Sequence, residues 1–516
     1  MSTNRITIAA KKTAGFLSDL QPKIRSLNSR WPTICWGRHP SQVQGPAIIF
    51  FPCSASLLCC GLAGIIAVKG KTKGKIDIDL AGLENRIDAV AKTGLLSCAR
   101  DTDAVADGYL AGQAVLDSLT KDIRALKEEA RFLALFSGPS IRQHLVQLSA
   151  RLTALLEQEQ DLMAKEVGSL DSRAVDIIAT RVEMLKDMVW CLDVELAANI
   201  ERVQDLMSGS EASVAEACIA VFRQINAVLN SIDRLEVRGR DSAGISILFV
   251  LPAAAFETLQ AELSDKGLAA EFEDRTKGEV LGNASISFNR SNAENGDAIV
   301  ALTMVYKVAA EIGSLGDNIR FLRSQIRKDR ILQKIAAAPH TFHTISSHTR
   351  WASVGAITEP NCHPVDNIVS DGDGSGPIFH VCLNGDIDNY LALRAEFETD
   401  ERRIPADITT DTKIIPLRIQ AYMEAGHPVA EAFRLAVNDF EGSHAISLHT
   451  DIAPGKLFLA QRGSGQAIFV GLAEDHYMSA SEVYGFIEET SRYIKLDGEK
   501  VVQGANGETQ GQIFIL

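Results

Sequence analysis

The 516-residue sequence contains no CxxC pair, and its nine cysteines (Cys35, Cys53, Cys59, Cys60, Cys98, Cys191, Cys218, Cys362 and Cys382) repeat no spacing. A zinc site built on paired cysteines is therefore not signalled. An odd number of scattered thiols points to a reducing, cytoplasmic compartment and away from a disulfide framework. An excess of basic charge is also lacking. Lys and Arg number 52 against 66 Asp and Glu, for a net charge of −14. Phosphate binding needs clustered cations, so no nucleic-acid partner is expected. What is present is an ordinary globular balance, 46% hydrophobic and 23% charged, over a length that suits about three domains.

One stretch lacks charge altogether. From Gly45 to Val68 there is no charged side chain. Its end, Leu58-Cys59-Cys60-Gly61-Leu62-Ala63-Gly64-Ile65-Ile66-Ala67-Val68, admits two readings. One is a buried strand with a nucleophile at its head. The other is a membrane segment, since about 20 apolar residues span a bilayer. Basic residues precede it, as in a signal peptide or anchor, but that basic region is far too long and Pro52 interrupts the apolar part. A membrane partner is therefore not expected. Residues 1–59 read as an N-terminal extension: a propeptide, an anchor or an overextended start.

From Ile76 the period becomes helical. Ile78, Leu80, Leu83, Ile87 and Val90 open an amphipathic pattern that runs with breaks to about Phe136, where Gly138-Pro139 ends it and Ser140 offers an N-cap. Ile141, Leu145, Leu148, Leu152, Leu155 and Leu162 then alternate steps of four and three. Ile178, Val182, Leu185, Val189, Leu192, Leu196 and Val203 do the same. Two heptad seams around Gly168–Ser172 predict an antiparallel helical hairpin of coiled-coil type, with a third helix from about Glu211 to Ile232. The plain reading of this region is a scaffold that binds a partner and carries no chemistry.

After Ile232 the texture changes. The loop Arg238-Gly239-Arg240-Asp241-Ser242-Ala243-Gly244 feeds a strand at Ile245–Leu251. A helix at Ala254–Leu263, a hairpin region near 282–296, a strand at Ala298–Val308 and one basic helix over Leu315–Ile335 follow. Further strands are predicted at Ile378–Leu383, Ala445–His449, Lys456–Gln461, Ala467–Gly471, His476–Ala480 and Tyr493–Leu496. Helices at Thr412–Ala425 and Pro428–Phe440 lie among them. Runs of strands without helices between them indicate stacked sheets.

Separated pieces now combine: CGLAGIIAV (60–68), LEVRGRDSAGISI (235–247), SHTRWASVGAITEPNCHP (347–364), FHVCLNGDIDNYLALR (379–394) and TTDTKII (409–415). FEGSHAIS (440–447) and LFLAQRGSGQAIFVGL (457–472) accompany them. In order and content they resemble the glutaminase domain of class II, N-terminal-nucleophile (Ntn) glutamine amidotransferases, most of all the glutamine–fructose-6-phosphate aminotransferases, or glucosamine-6-phosphate synthases. The resemblance implies an α+β fold, a four-layer α/β/β/α Ntn-hydrolase sandwich. Its first strand would span 60–75 and the remainder 225–516, with 76–224 as an inserted helical region.

The resemblance also implies a site. Cys60 would be the nucleophile, its own α-amino group the base, and a glutamyl thioester the intermediate. The Asn384 amide and Gly385 N–H would form the oxyanion hole. Arg350 would grip the α-carboxylate of L-glutamine and Asp411 its α-ammonium. Arg238 would lie near the acyl group and Trp351 at the mouth of the ammonia passage, with Ser353 beside the substrate. No metal and no cofactor is implied; His343, His348, Cys362 and His363 fit no standard zinc spacing.

Three departures stand out: Ser353-Val354 where Thr-His is usual, Arg240 where an aromatic is usual, and Asp386 where an apolar residue is usual. Those family members continue into two sugar-isomerase domains, whereas this sequence ends at Leu516, about where the glutaminase domain would end. Alone it would hydrolyse glutamine but not make an amino sugar without a partner or a missing C-terminal half; a sugar-isomerase partner or a homo-oligomer is the expected association. Two functions remain open: a glutaminase half of an amidotransferase, active only with a free amine at Cys60, and a catalytically silent scaffold of the same fold.

Overall fold

A computed structural model describes residues 60–67, 78–97, 102–166, 168, 170–208, 216–277, 281–293, 295–309, 314–369, 376–399, 403–504 and 507–516. The extension 1–59, with its anchor reading, lies outside them. Among the described residues no helix is long and apolar enough to cross a membrane.

The strands are β1 (Gly61–Ala67), β2 (Ser242–Pro252), β3 (Ile286–Asn292), β4 (Ala298–Ala309), β5 (Phe342–Arg350), β6 (Phe379–Gly385) and β7 (His444–Thr450). They continue as β8 (Phe458–Arg462), β9 (Phe469–Leu472), β10 (His476–Ala480), β11 (Tyr493–Lys495), β12 (Val501–Gly504), β13 (Gly507–Gln510) and β14 (Gln512–Ile515). Eight form one antiparallel sheet in the order β11-β9-β10-β1-β5-β2-β4-β3, four form another in the order β14-β8-β7-β6, and β12 and β13 pair with each other.

The alternation of side chains along β5 shows how the layers stack. On one face His343 Nε2 meets Gln224 Oε1 at 2.7 Å, on the helix Glu216–Leu235. On the other face Ser346 Oγ meets Ser447 Oγ at 3.1 Å and His348 Nε2 meets Asn384 Oδ1 at 2.8 Å, both on the small sheet. The two sheets thus pack face to face. The helix Glu216–Leu235 covers the outer face of the large one against β1 and β5. The helices Ile414–Glu424 and Val429–Asp439 cover the small one, over a core that includes Phe379, Val381, Phe433, Phe440 and Phe458. This is the four-layer α/β/β/α sandwich, α+β in class.

The described residues fall into two compact units. The sandwich unit comprises β1, Lys127–Gly138 and Leu196–Leu516. The other comprises Ile78–Leu126 and Pro139–Glu195 and is all helix. In it Pro139–Glu166 and Ser172–Trp190 form a hairpin, burying Leu145, Leu148, Leu152, Leu155, Ile178, Val182 and Leu185. The deeply buried Arg181 donates to the carbonyls of Val105, Ala106 and Tyr109 and so ties the hairpin to the short helix Thr102–Gly108. Glu159, also buried, accepts from the Leu95 N–H at 3.0 Å.

Several local expectations change. The helix begins at Pro139, where a missing N–H costs nothing, so Ser140 lies inside it. The second seam is not one α-helix: Cys191–Ala198 adopts π-helical turns, and Val203 belongs to a separate helix, Asn199–Leu206. The stretch expected as one insertion, 76–224, is divided between the two units, and its last helix is a layer of the sandwich. The basic helix over 315–335 is two helices, Asp317–Lys328 and Arg330–Ala337. Asp329 breaks it by accepting from the Ile331 and Leu332 N–H groups, an N-cap inside the periodic run.

Candidate active site

Cys60 stands immediately before β1. The pairings Gly61↔Thr349 and Ser242↔Arg350 bring the ends of β1, β5 and β2 together, so Cys60 and Arg350 are neighbours at one edge of the large sheet. The Cys60 side chain is buried. Its Sγ accepts from the Trp351 N–H at 3.3 Å and lies 3.5 Å from the Trp351 carbonyl. Gly61 has to be glycine: a Cβ there would sit 2.5 Å from Leu235 Cβ and 2.6 Å from Thr349 Oγ1.

The polar loop before β2 braces this edge. The Asp241 N–H donates to the Arg350 carbonyl at 3.1 Å, and Asp241 Oδ2 accepts from the Ala352 N–H at 2.9 Å. Arg238, half-buried on the same loop, is ion-paired with Glu482. Arg350 is buried at the end of β5. Its guanidinium donates to the Ala356 carbonyl at 3.1 Å and to the Val354 carbonyl, which curls the 352–356 loop around it. Ser353 is exposed on that loop and donates to Asp386 Oδ1 at 2.5 Å.

The small sheet supplies the facing groups. Asn384 is the penultimate residue of β6, with no exposed surface. Its Oδ1 is held by His348, while its Nδ2 has no hydrogen-bond acceptor among the described residues. A buried donor left unmet costs about 1–3 kcal/mol, so this amide is a donor held ready for an acceptor. Gly385 follows at φ 91°, and a Cβ there would lie 2.1 Å from the Ser443 carbonyl oxygen. Gly385→Ala therefore combines left-handed strain with a backbone clash. The expected loss is about 3 kcal/mol of folding stability, read as a lower urea midpoint. A midpoint within error of the parent would contradict it.

Asp411 completes the group. It is buried, and its Oδ2 accepts from the Ile387 N–H at 2.8 Å. Burial, with the nearby Asp386 carboxylate adding to it, pushes its pKa up to about 6, against the opposing pull of the Ile387 N–H and Arg350. A thiol, an unsatisfied amide donor, a guanidinium and a carboxylate thus converge on one end of the two sheets. Such a set can hold an amino acid at both its charged ends and present its side-chain amide to sulfur.

The other described cysteines differ. Burial pushes the Cys218 thiol up to about 11 and Cys382 up to about 12, so neither is a ready nucleophile. His343 lies on the helix-facing side of β5, opposite to His348. What periodicity did not single out is the buried trio His348, His363 and Thr412. Their signal was polar residues inside strand-like or motif segments.

In these features and in motif order the chain is similar to class II, Ntn-type glutamine amidotransferase domains. No family model matches the chain. Its curated relatives are glutamine–fructose-6-phosphate aminotransferases (isomerizing). The protein from Methanothermobacter thermautotrophicus is 34% identical over 157 residues, 30% of this chain and 25% of the relative. That from Streptomyces coelicolor is 34% identical over 158 residues, 30% of this chain and 24% of the relative. That from Sulfolobus acidocaldarius is 32% identical over 194 residues, 36% and 30%. The chain spans about a quarter to a third of the length of these relatives. Among solved structures, the allosteric regulatory enzyme of purine biosynthesis aligns at 15% identity over 52% of this chain and 48% of that one. Its TM-score of 0.29 is too slight to carry an argument.

Proposed function

We propose that the sandwich unit is the glutaminase half of an amidotransferase, hydrolysing L-glutamine to glutamate and ammonia through a thioester on Cys60. The observation that carries this reading is the buried Asn384 amide with an unmet donor, placed among Cys60, Arg350 and Asp411. With Cys60 as first residue, its α-amino group, of pKa about 7.7–8.0, takes the thiol proton as sulfur attacks the side-chain carbonyl. Asn384 Nδ2 and the Gly385 N–H stabilise the oxyanion. Ammonia leaves with the proton returned by the amine, and water then releases glutamate. Arg350 receives the α-carboxylate, Asp411 the α-ammonium, and Arg238, Trp351 and Ser353 border the acyl end. The names of the relatives point to amino-sugar phosphate synthesis as the destination of the ammonia. Glutamate release from glutamine, by material whose mass proves that it begins at Cys60, tests the reading. No release would overturn it.

The pH dependence follows from Asp411. Its carboxyl is ionised above about pH 6 and neutral below. Only the ionised form holds an ammonium group, so the KM for glutamine is expected to rise as pH falls below about 6. Asp411→Asn removes a charge-assisted hydrogen bond of about 1.5–3 kcal/mol. It is therefore expected to raise KM roughly 10–100-fold at pH 7.5 and to flatten the acid limb. A KM and an acid limb unchanged by the substitution would exclude Asp411 from the ammonium site.

A second reading, a catalytically silent scaffold, is favoured by two specific features. Carbonyls of the 352–356 loop occupy the Arg350 guanidinium, and Asp386 places a further negative charge beside the site. Under that reading the helical hairpin holds a partner and Cys60→Ala changes nothing measurable.

A further inference from the structure

A chain of buried hydrogen bonds runs from the turn that carries Asp411 to the amide of Asn384. Thr410 Oγ1 lies 3.2 Å from Thr412 Oγ1, which lies 2.9 Å from His363 Nε2. His363 Nδ1 is 3.1 Å from His348 Nδ1, and His348 Nε2 is 2.8 Å from Asn384 Oδ1. The two imidazole centroids are 4.3 Å apart. Neither ring has appreciable exposure. We propose that His348 and His363 are positioning residues whose paired tautomers set which face of the Asn384 amide is turned to the substrate. The proposal rests on the reading of Asn384 as an oxyanion donor.

The argument is one of proton counting. Each neutral imidazole has one N–H and one lone pair. Burial keeps both rings neutral, holding His348 down to about 3 and His363 well below its ordinary value. Two facing Nδ1 atoms can share only one proton, so one ring donates and the other accepts. If His363 donates, His348 has its proton on Nε2 and gives it to Asn384 Oδ1. The NH2 of Asn384 is then left over for an oxyanion, and the Thr412 hydroxyl donates to His363 Nε2. If His348 donates instead, its Nε2 is a lone pair. Asn384 must then turn its NH2 inward and present an oxygen to the developing negative charge. Two contacts favour the second arrangement, the Leu383 N–H 3.4 Å from His363 Nδ1 and the Thr412 hydroxyl 3.4 Å from Asp411 Oδ1, and both are longer than the contacts His363 makes with His348 and Thr412. The unmet Asn384 Nδ2 belongs to the first arrangement.

The polarity of the whole chain therefore decides whether the hole is a donor or an acceptor. Because the chain begins beside Asp411, it also ties the group that would hold the ammonium end to the group that would hold the acyl oxygen. A merely structural histidine pair would stabilise the sheets without caring which ring donates.

The test has two arms. In full-length chain labelled with ¹⁵N-histidine, His348 is expected as the neutral Nε2–H tautomer and His363 as the neutral Nδ1–H tautomer. The reverse pair, or an imidazolium at pH 7, overturns the proposal whether or not the chain turns over. In chain beginning at Cys60, His348→Leu is expected to lower kcat by about 10–100-fold at nearly constant KM. His348→Gln, which can place an N–H near the Nε2 position, is expected to recover most of that loss. In an Asn384→Ala background, His348→Leu is expected to cost nothing further, because it acts only through the amide. Losses that multiply in the double variant overturn the relay while leaving the glutaminase reading intact. No glutamate release from the parent overturns that reading, and the tautomers then decide the relay alone.

Discussion

A chain that begins at Cys60 is expected to release glutamate from glutamine at least about 10³-fold faster than the same chain with residues 1–59 attached. The reason is chemical. Joined to a preceding residue, the Cys60 nitrogen is an amide and cannot accept a proton. The contacts of Cys60 Sγ with the Trp351 N–H and carbonyl supply no base. The nearest histidines, His348 and His363, are held neutral and already engaged with Asn384, Thr412 and each other. A positioned general base contributes about 10²–10⁴-fold. Equal rates from the two chains, each verified by intact mass, would mean that another group takes the proton.

The second large effect concerns Asn384. Asn384→Ala is expected to lower kcat by about 10²–10³-fold, with KM changed only a few-fold, because the amide donor is used only when charge develops on the acyl oxygen. Stability should change far less than activity. The substitution removes an NH2 that has no acceptor in the folded chain, but strips His348 Nε2 of its own acceptor. The two changes are each about 1–3 kcal/mol and opposite in sign. A proportional loss of kcat and of the urea midpoint would indicate a damaged fold in place of a lost oxyanion donor.

The parts of this protein legible in the sequence are those whose backbone demands a residue type locally. Gly61 and Gly385 are glycines because a Cβ would strike Leu235 or the Ser443 carbonyl, and such positions fall inside short motifs. The strands β2 and β4 are readable as largely apolar runs. The central strand β5 is not, for a physical reason: Phe342–Arg350 is rich in Ser, Thr and His. Those side chains are satisfied across the sheets, by Ser447, Asn384 and Gln224, which lie far away in sequence. Periodicity cannot register such pairings.

The helix Glu216–Leu235 shows the opposite failure. Its pattern announced a helix but not its partner, since burial on nearly every side suits a sandwich layer as well as a bundle. The break at Asp329 depends on Arg275 and Tyr306, which hold the same carboxylate from other elements. At the site, the candidate residues were legible one by one. The pairing of Arg238 with Glu482 and the enclosure of Arg350 by its own loop were not, because both depend on how distant turns meet.

The most direct test of the central claim is a comparison of glutamate release by chain proven to start at Cys60 with that of the same chain carrying Cys60→Ala. Turnover in the first and none above background in the second is the result the thioester account predicts. Equal release from both, or none from either, would contradict it.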